Sequence, residues 1–269
     1  MKRHLLIVAT AMLLGACSSM DKSPVADIET IEQQQQLDLQ VSKNAHRALE
    51  SLAELEQDNY VRYERAKQLY MIAMLEADWE ANKQAQAIIE ELLADEGFVR
   101  PAYRHAELRA YYGSLYTLKG RDMPGWWWVN NMTPVGFVRI YYMRKGVSEL
   151  NAAVEQDAYH PVVRLIRGNT FTHLPAFAGV RQKGIADMQL LLGWLQDSRK
   201  NQAYESILQD RSFRLSAYFS IAQVLEQSGD RAQALQAYQA VTELAPDSIE
   251  ASIAYSAIQR IHTLVKEDL

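Results

Sequence analysis

Between Tyr218 and Pro246 the chain carries a spacing that dictates two short antiparallel helices: Tyr218-x2-Ile221-Ala222-x2-Leu225, then Gly229-Asp230, then Ala234-x3-Tyr238, then Pro246. Intervals of three and four place Tyr218, Ile221, Ala222 and Leu225 on one helix face. Small side chains at Ala222 and Ala234 let the two axes approach, and Tyr218, Leu225 and Tyr238 fill the space around the crossing. Gly229 permits the turn that ends the first helix, and Pro246 stops the second. A single pair of this kind buries too little surface to fold alone, so neighbouring pairs must stack on it.

The rest of the chain supplies such neighbours. From Ala45 onward helix formers dominate and no alternating strand pattern persists. Ala45, Leu49, Leu52 and Leu55 form one apolar stripe, and helices are predicted over 60–78, 80–94 and 101–118. Gly and Pro fall mostly between these blocks, at Gly97, Pro101, Gly120, Pro124, Gly125, Pro134, Pro161, Pro175 and Gly179. Weaker copies of the pair pattern precede the clear one. Leu69-x2-Ile72-Ala73 is followed by Ala85-x3-Ile89, with the same offset between small residues as Ala222 and Ala234. Tyr112-Gly113-x2-Tyr116 matches a first helix and Gly146-x3-Leu150-x2-Ala153 a second. Arg167-Gly168-x2-Phe171 and Gly184-x3-Met188 make a further pair. Extra residues separate the helices of these last two pairs, the larger insertion at 120–142 and the smaller at 174–180.

Together these patterns resemble tetratricopeptide repeats, whose unit is about 34 residues long. The resemblance covers 45–269, is clearest over 215–248, and implies an all-α, right-handed superhelical solenoid of antiparallel helix pairs with an aromatic insertion loop. A helix at 249–265 would cap the last repeat. In such solenoids partners bind the concave side. The groove positions implied are Tyr70, Met74, Ala110, Ser114, Leu165, Asn169, Phe219 and Gln223, with Glu226 one turn on. Their mix of polar and apolar groups suits a peptide or helix ligand.

The amino terminus sets location. Lys2, Arg3 and His4 precede the apolar run from Leu5 to Leu14, which is too short to cross a bilayer. Leu14-Gly15-Ala16-Cys17 then resembles the lipobox of bacterial lipoproteins. The resemblance implies cleavage of 1–16 and acylation of Cys17, and Ser18 in place of an aspartate implies the outer membrane, facing the periplasm. Residues 17–44 read as a lipidated polar tether, with Ser23-Pro24 opening a partial helix ahead of the glutamine run Gln33 to Gln36. Cys17 is the one cysteine of the chain, so no internal disulfide forms. Loss of Lys2 and Arg3 with the leader takes the net charge from −5 to −7, which argues against nucleic acid as a partner.

Chemistry is sparse. His46, His105, His160, His173 and His262 include no pair at the i,i+4 spacing of a helical metal site, and no nucleophile elbow, phosphate loop or zinc motif occurs. No catalytic residue, metal or cofactor is expected beyond the covalent lipid. His173 stands before Leu174-Pro175 as a helix-end histidine; a catalytic role would need an orienting carboxylate. Trp126, Trp127 and Trp128 cannot all face one packing surface. They fit either an aromatic anchor for a partner or membrane interface, or a loop folded back over the solenoid. Arg164 and Arg167 fit either capture of a partner's carboxylate or pairing with Asp157 or Asp187. The expectation is a non-catalytic adaptor or scaffold for other envelope proteins or peptides, in a secretion, pilus, outer-membrane or cell-wall assembly. The alternatives are a ligand-binding accessory of a transport system and an enzyme with a dispersed site.

Overall fold

The computed structural model describes residues 25–51, 58–123 and 134–267. Cys17 and the Trp126, Trp127 and Trp128 segment lie outside them. Among the described residues every regular element is helical. The long helices are α1 (Val25–Ser51), α2 (Asn59–Glu76), α3 (Trp79–Ala94), α4 (Ala102–Asp122), α5 (Pro134–Gln156), α6 (Pro161–His173), α7 (Arg181–Gln196), α8 (Arg211–Ser228), α9 (Arg231–Leu244) and α10 (Ile249–Glu267).

Aspartates start many of them. The side chains of Asp58, Asp78, Asp210 and Asp230 each accept a hydrogen bond from a first-turn amide of the helix they precede. Each such cap contributes about 1 kcal/mol. At the other end of α8, Gly229 takes φ 88°, and the Asp230 amide donates to the Leu225 carbonyl at 2.9 Å. That left-handed glycine closes the turn whose position the sequence marks.

Each long helix packs on its successor from α1 to α10, and α2, α4, α6 and α8 also touch in succession. The pairs α2–α3, α4–α5, α6–α7 and α8–α9 are therefore packed as neighbours, with their first helices sharing one layer. Three buried clusters follow one another along the chain. Leu69, Ala73, Ala85 and Ile89 lie in the first, Ala110, Leu150 and Phe171 in the second, and Ile221, Ala222, Ala234 and Tyr238 in the third. α10 packs on α9 and adds Ala254, Ala257 and Ile261 to the third cluster. α1 runs unbroken through residue 44, packs on α2 with Ser42 buried, and also reaches α10, so the first and last helices meet.

The middle pairs cross on glycine. A Cβ placed on Gly146 of α5 would stand 2.5 Å from the Gly113 carbonyl oxygen of α4, and one on Gly184 of α7 would stand 3.0 Å from the Gly168 carbonyl oxygen of α6. The larger insertion is shorter than its sequence span, because α4 runs on to Asp122 and α5 already starts at Pro134. The smaller one contains a 3₁₀ turn, Ala176–Ala178, closed by Gly179 at φ 68°.

Candidate binding site at the junction of α5, α6 and α7

Helical spacing builds this site from three pairs. Asn151 and Glu155 stand four apart on α5, Arg164 and Arg167 three apart on α6, and Lys183 and Asp187 four apart on α7. Each pair therefore shares a face of its helix. The close glycine crossing of α6 and α7 brings the arginines onto Asp187. The Arg167 guanidinium donates to both carboxylate oxygens, from Nε at 2.6 Å and from Nη2 at 2.8 Å, while Arg164 donates from Nη1 at 2.5 Å. Arg164 Nε is fixed on the Ala158 carbonyl at 2.9 Å, and Arg167 Nη1 on Asn151 at 3.2 Å.

The Asp187 side chain is 1% exposed, against 15% for Arg164 and 10% for Arg167. One buried carboxylate thus balances two guanidiniums that keep an edge in solvent. With Lys183, Glu155, Ala186 and Leu190 these residues line an open cleft of about 440 Å³. Three cations face two carboxylates there, so the cleft carries a surplus positive charge on a chain whose net charge is −5. Arg167 already has all three of its nitrogens engaged by Asp187 and Asn151, so a carboxylate from another molecule would meet Arg164 Nη2 and the exposed Lys183. Of the two partners weighed from the sequence, Asp187 is the one that Arg164 and Arg167 find; Asp157 instead accepts from the Tyr204 hydroxyl.

The nine groove residues lie elsewhere, and none lines this cleft. Tyr70 and Ser114 come together: the Tyr70 hydroxyl is 3.2 Å from Ser114 Oγ, which is 3.0 Å from Thr170 Oγ1. Both are buried, so their polar atoms serve the seam between α2, α4 and α6. Met74 is half-buried against the first cluster, and Leu165 and Phe219 against the third. Asn169 is half-buried, and its carbonyl accepts from the His173 ring at 2.7 Å. Gln223, on α8, is half-buried. Glu226 is engaged within the fold, accepting from the Tyr238 hydroxyl at 2.8 Å and from Arg260 of α10 at 2.7 Å. Ala110 is fully buried.

The histidines are dispersed. His46, largely buried on α1, meets Glu50 at 3.2 Å, and His105 meets Gln156 at 2.7 Å. His160 is fully buried between Tyr103 and Tyr204, and Glu107 Oε2 lies 3.7 Å from its Nε2, beyond hydrogen-bond reach. Burial pushes the His160 ring down to about 4, against an opposing pull from Asp157. Burial also raises the Glu107 carboxyl, so the two face each other neutral more readily than exposed groups would. Among the described residues no group of three or more His, Cys, Asp or Glu is arranged to hold a metal ion.

Sequence reasoning singled out the arginines and Asp187 but missed Lys183, Asn151 and Glu155. The signal was present, since each stands one turn from a partner on its own helix. Comparison with known proteins finds no family model, curated protein or solved structure that matches this chain.

Proposed function

We propose that the chain is a non-catalytic adaptor, held by a lipid on Cys17 at the periplasmic face of a bacterial outer membrane, that binds a carboxylate-bearing segment of another envelope protein. The observation that carries this reading is the cleft in which Arg164 and Arg167 share the single buried carboxylate of Asp187 while Lys183 stands exposed beside them. Asp187 holds both guanidiniums in place before a partner arrives, which lowers the ordering cost of binding. The stacked helix pairs, with small residues at each crossing, support a right-handed solenoid of tetratricopeptide type as the scaffold. Acyl chains on Cys17 would confine the protein to the membrane surface and raise its effective concentration near membrane-bound partners.

The test has two arms. The mature protein is extracted from cell membranes, and the mass of its amino-terminal fragment should show a diacylglyceryl group on Cys17; an unmodified thiol refutes the anchor. Affinity capture with the intact chain should then recover one stoichiometric partner that Lys183→Glu loses, and equal recovery by both refutes the cleft. A second reading rests on the size of the cleft, since about 440 Å³ also suits a small acidic ligand of a transport accessory. In that case small dicarboxylates alone raise the melting temperature, and Lys183→Glu removes the effect.

A further inference from the structure

The amino-terminal half of α5 turns large apolar side chains to solvent. Phe137 is 74% exposed and Tyr141 58%, with Val138 and Ile140 each exposed by more than a third. Phe137, Ile140, Tyr141 and Arg144 follow one another at intervals of three, one and three, which puts them on a single face. The opposite face is fixed, because Gly146 and Leu150 are pressed against α4. In the amino-terminal half the same packing continues, where a Cβ on Gly120 of α4 would stand 3.1 Å from the Arg139 carbonyl oxygen and from Met143 Cγ, so the apolar face is held toward solvent.

Its charge is of one sign. From Pro134 to Ser148 the sequence has three cations, Arg139, Arg144 and Lys145, and no carboxylate, in a chain of net charge −5. Arg139 is tied to the Met123 carbonyl at 2.6 Å, and Lys145 donates to the Tyr116 hydroxyl at 2.7 Å while lying over that ring. Arg144 is exposed and extends the apolar row. We infer that this face of α5 lies on an anionic lipid surface, with Phe137, Ile140 and Tyr141 at the level of the acyl–headgroup boundary and Arg144 among the headgroups. Exposed aromatic rings joined to long cations are the side chains that settle in that interface. Anionic headgroups complement the one-signed charge. A second copy fits less well, since a two-fold pairing would set these all-cationic faces against each other. Among the described residues no helix is long and apolar enough to cross a membrane, so the contact is with the surface. The inference does not rest on acylation of Cys17.

The test uses the full chain with Cys17→Ser, so that one introduced cysteine carries a fluorescent dye. Tyr141→Cys is compared with Ser216→Cys, an exposed position on α8, in vesicles of phosphatidylethanolamine and phosphatidylglycerol containing nitroxide-labelled lipid. Quenching at position 141 should exceed that at position 216 roughly threefold, as for a residue seated at the interface. Phe137→Asp with Arg144→Glu should bring position 141 down to the level of position 216, with helical circular dichroism unchanged. Equal quenching at both positions with Phe137 and Arg144 intact overturns the inference. So does quenching between dyes on neighbouring copies that fades on dilution into excess lipid, which would assign the face to self-association.

Discussion

Gly146→Ala probes the crossing of α4 and α5 with a single added methyl. An ideal Cβ there stands 2.5 Å from the Gly113 carbonyl oxygen, 2.5 Å from Thr117 Cγ2 and 3.0 Å from the Thr117 amide nitrogen. Ordinary contact begins nearly an ångström further out, and two of the three neighbours are backbone atoms that no rotamer change can move. The helices must part, which loosens the packing of Leu150 and Thr117 along the seam. Overpacking of this kind costs about 1–3 kcal/mol, and the upper end applies where backbone is struck. Alanine returns up to about 1 kcal/mol of helix propensity over glycine. The balance is a loss of about 2 kcal/mol, or roughly 5 °C in melting temperature for a chain of this size. Gly193→Ala in α7 is the matched control, because nothing lies within 4 Å of its added Cβ. There the propensity gain stands alone, up to about 1 kcal/mol. Thermal and urea unfolding followed by far-UV circular dichroism reads both. If Gly146→Ala stabilises the chain as much as Gly193→Ala, the glycine seam is not a close contact and the reasoning fails.

Asp187→Asn keeps the shape of the buried carboxylate but leaves Arg164 and Arg167 uncompensated, so unfolding free energy should fall by about 3–5 kcal/mol; a change under about 1 kcal/mol in urea titration would contradict the burial of that charge cluster. His160 binds its proton at about 4 when folded and near 6.5 when unfolded, so the unfolded state holds more protons between those values. Stability should therefore drop by about 2 kcal/mol from about pH 7.5 to about pH 5 through this residue. His160→Gln should remove that part of the slope, whereas Glu107, raised by burial, acts in the opposite direction and remains in both proteins. Identical slopes for the two proteins would refute the assignment. Glu226→Gln should cost about 1 kcal/mol by weakening the bridge from α8 to Arg260, without altering capture by the cleft.

Much of the helix pairing was legible in the sequence because small residues mark each crossing. Ala222 with Ala234, Gly113 with Gly146, and Gly168 with Gly184 all lie in packed helix pairs. Gly229 announced the end of α8, while the capping of α9 by Asp230 emerged from the structure. What stayed hidden depends on distance in the chain. Contact between α1 and α10 joins residues about two hundred or more positions apart, and no local pattern encodes it. The groove positions were placed by analogy of register, and the sequence did not reveal that Tyr70 and Ser114 are buried with their hydroxyls in contact inside the seam. Arg164 and Arg167 were visible as a pair on one face, but the cleft needs Lys183 and Asn151 from two other helices, and their meeting is a tertiary fact.

The most direct test places a photo-crosslinking residue at Leu190, which lines the cleft and is exposed, in the full chain expressed in its own cells. Illumination should give one discrete heavier species containing a second envelope protein, lost when Lys183→Glu is added and never formed from the same residue at Ser216. No adduct at position 190, or an adduct indifferent to the charge at position 183, would contradict the assignment of this cleft to partner capture.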